Sequence, residues 1–369
     1  MIGNRCYNLG DNAFASISTG KVHMVMSFQK AERFIRVAII HPSFGENAKW
    51  IDEFVPNSSN CLFEKIVPPS RKKVSWHDRG PVTPLREWLD HFKYALKAIR
   101  SGHDVLVTNF PQLALTACFW KVLLRSDIQI VSWSFNIGSI SNKLKGRLAG
   151  LFLRNAKIIV VHSSYEVEQY STWMGLPEAR FIFIPFQCGK IDKECGDPNE
   201  GPFVISLGSA GRDYRTLFSA VSGTSIDVVV VAKPDAVEGL AIPSNVKILN
   251  GISLIDSQRL ASKAVLGVVP IANLETASGQ VSFLQLMALG IPVIATACPG
   301  TCDYLSHEHD ALVVPPYDVE ALRFAIIRAW LDADLRGRLA ANGLKAWRER
   351  FSDEAAGLNL MSVISQIAS

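Results

Sequence analysis

Short apolar runs alternate with turns and helical stretches along most of the chain. Each run is rich in Val and Ile, and this alternation predicts βαβ units with parallel strands. Helices are predicted over Ser278–Leu289, Val319–Ala333 with Asp318 as its cap, and Leu335–Arg350. The predicted strands are Arg36–His41, Asp104–Thr108, Gln129–Trp133, Lys157–His162, Arg180–Phe186, Phe203–Leu207, Asp227–Ala232, Val246–Ile248, Val265–Val269, Pro292–Thr296 and Ala311–Val314.

The alternation stops once and then restarts, which divides the chain. Residues 187–202 carry three Gly, two Pro and many charges, a composition typical of a linker. We therefore predict an α/β fold with two Rossmann-like domains, at 35–186 and 203–352, whose parallel sheets face each other across a cleft. A last helix at 353–369 is expected to cross back and complete the first domain. Residues 1–34 are polar and mixed, and predict either a poorly ordered leader or an ordered extension.

Charge is distributed unevenly between the two halves. Residues 1–190 hold 24 Lys and Arg against 14 Asp and Glu, whereas residues 191–369 hold 14 against 20. A basic half indicates an anionic surface or substrate. Nucleic acid is not expected, because no recognition motif accompanies the charge. The seven cysteines are odd in number and match no zinc spacing, so we expect free thiols in a reducing cytoplasm and no metal site.

One basic segment has a helical spacing of apolar residues. In residues 141–155, leucines recur beside Lys143, Lys145 and Arg147. Such a helix can lie on an anionic bilayer at the inner face of the cytoplasmic membrane. An ordinary surface helix that buries its leucines explains the pattern equally well. Arg71, Lys72 and Lys73 add to the charge of this half.

The most informative stretch follows the predicted strand that ends at Pro270. A helix begins near Ser278 or Gly279, and the amides of a first turn suit a phosphate. The amide of Gln285 lies one and a half turns further and can reach a ribose edge. A helix that merely packs its apolar face into the core is compatible with this interpretation. The predicted donor contacts at this helix are Gly279, Gln280, Val281, Ser282 and Gln285.

This stretch, GQVSFLQLMALGIPVIAT, resembles the donor-binding signature of the retaining glycosyltransferases of family 4, the group 1 glycosyl transferases, which have the GT-B fold. The resemblance extends through PGTCDYLSHEHDALVVPPYDVEALRFAI and GSAGRDYRTL, and more weakly through VVHSSYEVEQY and PEARFIFIPF. It implies a nucleoside-diphosphate sugar as donor, a hydroxyl acceptor, retention at the anomeric carbon, and no metal or other cofactor.

Several positions depart from the family pattern. The two spaced glutamates with which the family contacts its donor fall on Ala277 and Gln285. Glu275 is expected to substitute for the first as a donor contact. The diphosphate-binding arginine and lysine fall on Ser209 and Arg212. A guanidinium at Arg212 can still hold a phosphate in a fork, although a solvated pair with Asp213 is the alternative.

Further candidates end other strands or follow them. Lys233 is placed to reach the same phosphates as Arg212. The resemblance implies that Asn136 takes the place of a histidine near the donor sugar, and that Gly45 is the turn near the donor phosphates. His41 and His162 end strands, where a lone histidine is more often structural. Asp332 and Asp334 are expected to cap a helix rather than to bind a metal.

These features predict a hexosyltransferase that works on a lipid-linked or polysaccharide acceptor. A catalytically silent nucleotide- or sugar-binding protein is the alternative, motivated by the altered positions. A GT-B nucleotide-sugar epimerase would need a carboxylate and histidine set that the sequence does not offer. A dehydrogenase is disfavoured because no G-x-G-x-x-G follows a strand.

Overall fold

The computed structural model describes residues 34–45, 47–68, 83–137, 140, 142–192, 201–274 and 277–368. The leader predicted at 1–34 therefore lies outside the described residues except for Phe34. Glu275 and the basic run Arg71–Lys73 also lie outside them. Residues Phe34–Ser369 group into one compact unit.

The first six strands form one parallel sheet. Its strands are β1 (Ile35–Ile40), β2 (Cys61–Lys65), β3 (Val105–Asn109), β4 (Gln129–Trp133), β5 (Ile158–Val161) and β6 (Phe181–Phe183). They lie in the order β2-β1-β3-β4-β5-β6, and every neighbouring pair is parallel. The helices of this half are α1 (Leu85–Ile99), α2 (Pro111–Leu123), α3 (Lys143–Leu153) and α4 (Ser164–Met174).

The next six strands form a second parallel sheet. They are β7 (Val204–Leu207), β8 (Val228–Val231), β9 (Val246–Leu249), β10 (Leu266–Val269), β11 (Val293–Thr296) and β12 (Leu312–Val314), in the order β12-β11-β10-β7-β8-β9. The strand order reverses between β7 and β10, and ligands of such sheets bind beyond the carboxyl ends of the strands at this point. The accompanying helices are α5 (Tyr214–Val221), α6 (Leu254–Lys263), α7 (Gln280–Ala288), α8 (Pro299–Cys302), α9 (Val319–Leu331) and α10 (Ala333–Ala346).

The chain then returns to the first sheet. A π-helical turn at Trp347–Phe351 leads into α11 (Asp353–Ala368). Leu360 and Ile364 of α11 are fully buried in the same core cluster as Val37 and Val107 of the first sheet. The indole N–H of Trp347 donates to the carbonyl oxygen of Cys188 at 2.8 Å, which ties the returning segment to the crossover between the sheets.

The doubly wound parallel architecture predicted from the sequence is confirmed, as is the capping role of two aspartates. Asp318 accepts a hydrogen bond from the amide of Ala321, and Asp332 accepts one from the amide of Leu335. Two boundaries were wrong. The predicted strand Arg180–Phe186 is shorter, because the amide of Phe186 bonds the hydroxyl of Tyr304 instead of a neighbouring strand. The predicted helix Leu335–Arg350 is α-helical only as far as Ala346, and the π-helical turn begins at Trp347.

Within the described parts of the chain, no helix is long and apolar enough to cross a membrane. Five cysteines lie in these parts, and each carries a free thiol: Cys61, Cys118, Cys188, Cys298 and Cys302.

Candidate functional site

The loop after β7 brings an arginine to the carboxyl edge of the second sheet. Gly208 and Gly211 have φ angles of 105° and 64°, which a residue with a side chain adopts only with strain. A Cβ atom at Gly208 would lie 2.7 Å from Nη2 of Arg212. The glycine therefore leaves the space into which the guanidinium folds.

Neutral acceptors hold this guanidinium. Nε of Arg212 donates to the carbonyl oxygen of Leu207 at 3.1 Å, Nη1 to that of Ala210 at 3.0 Å, and Nη2 to the Ser282 hydroxyl at 2.7 Å. No carboxylate pairs with it among the residues that the structure describes. Burial lowers the pKa of Arg212 below its ordinary value, but arginine stays protonated at neutral pH. These contacts use three of its five N–H groups.

The alternative pairing of Arg212 with Asp213 does not form. Asp213 caps α5 instead, accepting from the amide of Thr216 at 3.1 Å and from the Thr216 hydroxyl at 2.5 Å. Because this carboxylate is committed to the helix, it does not neutralise the neighbouring guanidinium.

The first turn of α7 lies beside Arg212. Gly279 is its N-cap, with a φ of 91°, and a Cβ there would lie 2.6 Å from Cδ1 of Ile271. A glycine N-cap supplies no side chain to the amides of the first turn, of which that of Ser282 donates to the carbonyl oxygen of Gly279 at 3.0 Å. Ser282, in that turn, is buried and accepts the Nη2 bond from Arg212 while donating to Leu207. The structure thus joins a cation to the positive end of a helix.

The backbone fixes the two segments against each other. Arg212 forms an isolated antiparallel bridge with Ile271, and the amide of Ala272 donates to the carbonyl oxygen of Gly211 at 2.9 Å. On the far side, a Cβ at Gly300 would lie 2.7 Å from the nitrogen of Ser278. The segment around Ala277 is therefore packed between two loops that tolerate no larger residues.

Ser209 and Lys233 lie at the same edge of the sheet. The Ser209 hydroxyl accepts from the backbone nitrogen of Lys233 at 2.8 Å, which links the loops after β7 and β8. Lys233 is exposed, and Gln280 and Gln285 on α7 are half-buried, while Val281 is exposed. The structure thus brings together Ser209, Arg212, Lys233 and the start of α7.

Two candidates belong to the first sheet instead. Gly45 follows β1 in open space, where a Cβ would meet no atom within 4 Å. Asn136 is exposed after β4, between buried Phe135 and half-buried Ile137. Both lie in loops that follow the carboxyl ends of strands.

The two strand-end histidines make local contacts. Nδ1 of His41 lies 2.7 Å from the Ser43 hydroxyl, and its ring stacks on Phe44. His162 is buried with Nδ1 2.8 Å from the carbonyl oxygen of Ile184, and burial lowers the pKa of His162 to about 4. His162 is therefore neutral at physiological pH.

The sequence interpretation missed a set of polar contacts that joins the halves. Asp303 accepts from the hydroxyl of Ser163 at 2.9 Å, and from the amide and hydroxyl of Ser164 at 2.8 and 2.6 Å. Tyr304 donates to the carbonyl oxygen of His162 at 2.7 Å. The partners are about 140 residues apart in the sequence, so no local sequence pattern predicts these contacts.

Glu166 is the other missed residue. It is buried on α4 and bonds the backbone of Ala277 in the loop that precedes α7, and burial raises the pKa of Glu166 to about 7. Its one sequence signal is Tyr170, four residues later, whose hydroxyl donates to Oε1 at 3.3 Å.

Metal-binding groups do not converge in the described ranges, which contain no cluster of three or more His, Cys, Asp or Glu side chains placed to hold an ion. The expectation of a metal-independent site stays a prediction.

Comparison with known proteins agrees with this arrangement. Residues 219–332 match the family model described as Glycosyl transferases group 1, which includes α7 but not Arg212. The resemblance drawn from the residues is confirmed over this region. No curated protein matches the sequence.

Solved structures match almost the whole chain. HepE from Anabaena in complex with UDP-glucose is 15% identical with a TM-score of 0.66, covering 90% of this chain and 100% of that one. Sucrose-phosphate synthase from Thermosynechococcus elongatus is 18% identical with a TM-score of 0.63, covering 91% and 100%. The lipopolysaccharide outer core galactosyltransferase WaaB is 13% identical with a TM-score of 0.61, covering 90% and 100%.

These likenesses show the GT-B fold of two Rossmann-like domains. The family match over residues 219–332 supports the expectation of a glycosyltransferase of the group 1 type.

Proposed function

We propose that the protein transfers a sugar from a nucleoside-diphosphate sugar to a hydroxyl acceptor, with retention of the anomeric configuration. The observation that carries this proposal is the guanidinium of half-buried Arg212, held by neutral acceptors beside the first turn of α7. A partly buried cation that has no carboxylate partner among the described residues is stabilised by a bound anion, and a diphosphate has the right charge. HepE, which shares the fold, is in complex with UDP-glucose.

The proposed energetic task is to stabilise the departing diphosphate. The guanidinium of Arg212 and the amides at the start of α7 would point at the charge that develops on the leaving oxygen. Lys233, at the same edge, would add a second cation. No protein nucleophile and no metal ion are needed if the leaving phosphate takes the acceptor proton.

The acceptor is proposed to be lipid-linked or a polysaccharide, at the inner face of the cytoplasmic membrane. The support is the basic character of the N-terminal half and the exposed leucines of α3, where Leu144 and Leu148 stand beside Lys145. WaaB, with the same fold, is a lipopolysaccharide galactosyltransferase.

A catalytically silent nucleotide-binding protein is the second candidate. Ala277 replaces a carboxylate expected at the donor sugar, while Gln285 keeps hydrogen-bonding capacity. An epimerase is not favoured, because His162, a strand-end candidate, is buried and neutral.

The test is release of nucleoside diphosphate from a panel of nucleotide sugars, in buffer containing a metal chelator. We expect slow hydrolysis of one donor, reduced at least 100-fold in Arg212→Ala. Arg215→Ala is the matched control, because Arg215 is exposed on α5 three residues away. If the protein binds a donor but neither hydrolyses it nor transfers its sugar to any acceptor tested, the catalytically silent nucleotide-binding protein is favoured. Inversion at the anomeric carbon of the product would contradict the proposed retention.

A further inference from the structure

A pocket of about 300 Å³ lies among α1, α2 and α3 of the first half. Its lining side chains are apolar or aromatic, apart from Thr116 and Lys145. The Thr116 hydroxyl already donates to the carbonyl oxygen of Gln112 at 3.0 Å, and the indole of Trp173 donates to that of Asn142 at 2.9 Å. Apart from Lys145 and the indole of Trp88, the walls therefore offer a ligand apolar contact area, which suits a hydrocarbon chain.

The pocket continues into apolar surface. Leu148 lines it and is nevertheless 54% exposed, and Phe152 lines it and is 38% exposed. Leu144, Leu151 and Leu123 extend this surface outwards on α3 and α2. An apolar pocket with an apolar rim is built to receive a chain that enters from an apolar phase.

The charge around the rim selects an anion. Helix α3 carries Lys143, Lys145 and Arg147 and no acidic residue, and α2 carries one lysine and no acidic residue. Together α1, α2 and α3 hold seven Lys and Arg against two Asp and Glu. Lys145 lines the pocket itself, so a negative headgroup attached to the buried chain would meet a cation at the opening.

One wall of the pocket reaches the carboxyl edge of the first sheet. Pro111 begins α2 directly after the loop that follows β3, and Phe135 and Ile137 follow β4. Asn136, a candidate for the donor sugar, stands between the last two. A chain held in the pocket would therefore leave its headgroup near the edge at which substrates of this fold bind.

We propose that this pocket holds the hydrocarbon tail of the acceptor, an anionic lipid whose phosphate is held by Lys145. The role as acceptor site rests on the proposed glycosyl transfer. The pocket thereby defines the acceptor class as a phosphate-bearing lipid with at least one long chain, whose headgroup also carries the hydroxyl that receives the sugar.

The test is calorimetric titration of the full chain with butyl, hexyl, octyl and decyl phosphate below their micelle concentrations. Each buried methylene is expected to raise the affinity about fourfold, until the pocket is full. Ala149→Phe, which fills the pocket, and Leu148→Gln are expected to abolish this chain-length dependence. Leu151→Gln is the matched control, because Leu151 is similarly exposed on α3 but does not line the pocket. Lys145→Gln should weaken every member of the series equally, whereas Lys143→Gln should not.

Three results would overturn the proposal. One is affinity that does not depend on chain length. Another is that the protein binds phosphatidylglycerol vesicles but no alkyl phosphate, and that Leu148→Gln and Leu151→Gln weaken the vesicle binding equally. This face would then be a contact with the bilayer surface. The third is that the protein forms a dimer that dissociates in Leu148→Gln but not on addition of alkyl phosphates. The pocket would then be part of an interface with a second copy of the chain. Nucleotide binding, measured in the same samples, reports on the donor site separately.

Discussion

The buried carboxyl of Glu166 should make the stability of the protein depend on pH. Burial raises the pKa of Glu166 from 4.5 to about 7. Between these values the folded state binds a proton that the unfolded state has released, so stability falls as pH rises. A shift of this size corresponds to about 3 kcal/mol lost by pH 8, at 1.36 kcal/mol per pKa unit.

His162, next to it in the structure, acts in the opposite direction. Its pKa is lowered by burial from 6.5 to about 4, so its contribution to stability rises with pH across this interval. The two effects oppose each other between about pH 4.5 and 6.5, and the Glu166 effect alone acts from there to pH 7.

Glu166→Gln isolates the carboxyl. Melting temperatures of the variant and the wild type should differ by a pH-independent offset below pH 4.5. The difference should then shift in favour of the variant, by a few degrees, as pH rises to 8. Glu168→Gln, on the exposed side of the same helix, is the control and should show no such trend. A difference in melting temperature between Glu166→Gln and wild type that stays constant from pH 5 to 8 would show that the Glu166 carboxyl does not titrate in this interval.

Three further substitutions test the packing around the site and a fourth, Gly337→Ala, is a control, each by thermal unfolding. Gly279→Ala should destabilise by about 1–3 kcal/mol, because of its positive φ and the 2.6 Å approach to Ile271, whereas Gly337→Ala, in open space on α10, should stabilise. Asp303→Ala should cost about 1–2 kcal/mol through the lost bonds to Ser163 and Ser164, and a melting temperature equal to that of wild type would contradict this. Tyr304→Phe should cost about 1–3 kcal/mol, since it leaves the carbonyl oxygen of His162 and the amide of Phe186 without this partner; an unchanged melting temperature would show that water replaces the hydroxyl.

The strands of the two sheets were predictable because central parallel strands are buried on both faces. β5 and β10 are buried at every position and carry no polar side chain. β2 was missed because it is an edge strand with half-buried and exposed residues in alternation. α1 was missed although its apolar residues recur at helical spacing.

The start of α7 was predictable from Gly279 and the apolar face that follows, because helix ends have local sequence signals. The hydrogen-bond partners of the Arg212 guanidinium were not predictable from the sequence. Its bond to Ser282 joins residues 70 apart, and it exists only because β7 and β10 are neighbours across the reversal in strand order. The links from Asp303 and Glu166 between the halves have the same long-range origin.

The donor site is tested most directly by thermal shift against a panel of nucleoside diphosphates and nucleotide sugars, without metal. A ligand at 100 times its Kd stabilises the folded state by about 2.7 kcal/mol. We expect one nucleotide family to raise the melting temperature of the wild type and of Arg215→Ala, and to leave Arg212→Ala unshifted. An equal shift in Arg212→Ala, or none in the wild type at millimolar ligand, would contradict the assignment of the donor diphosphate to Arg212 and the start of α7.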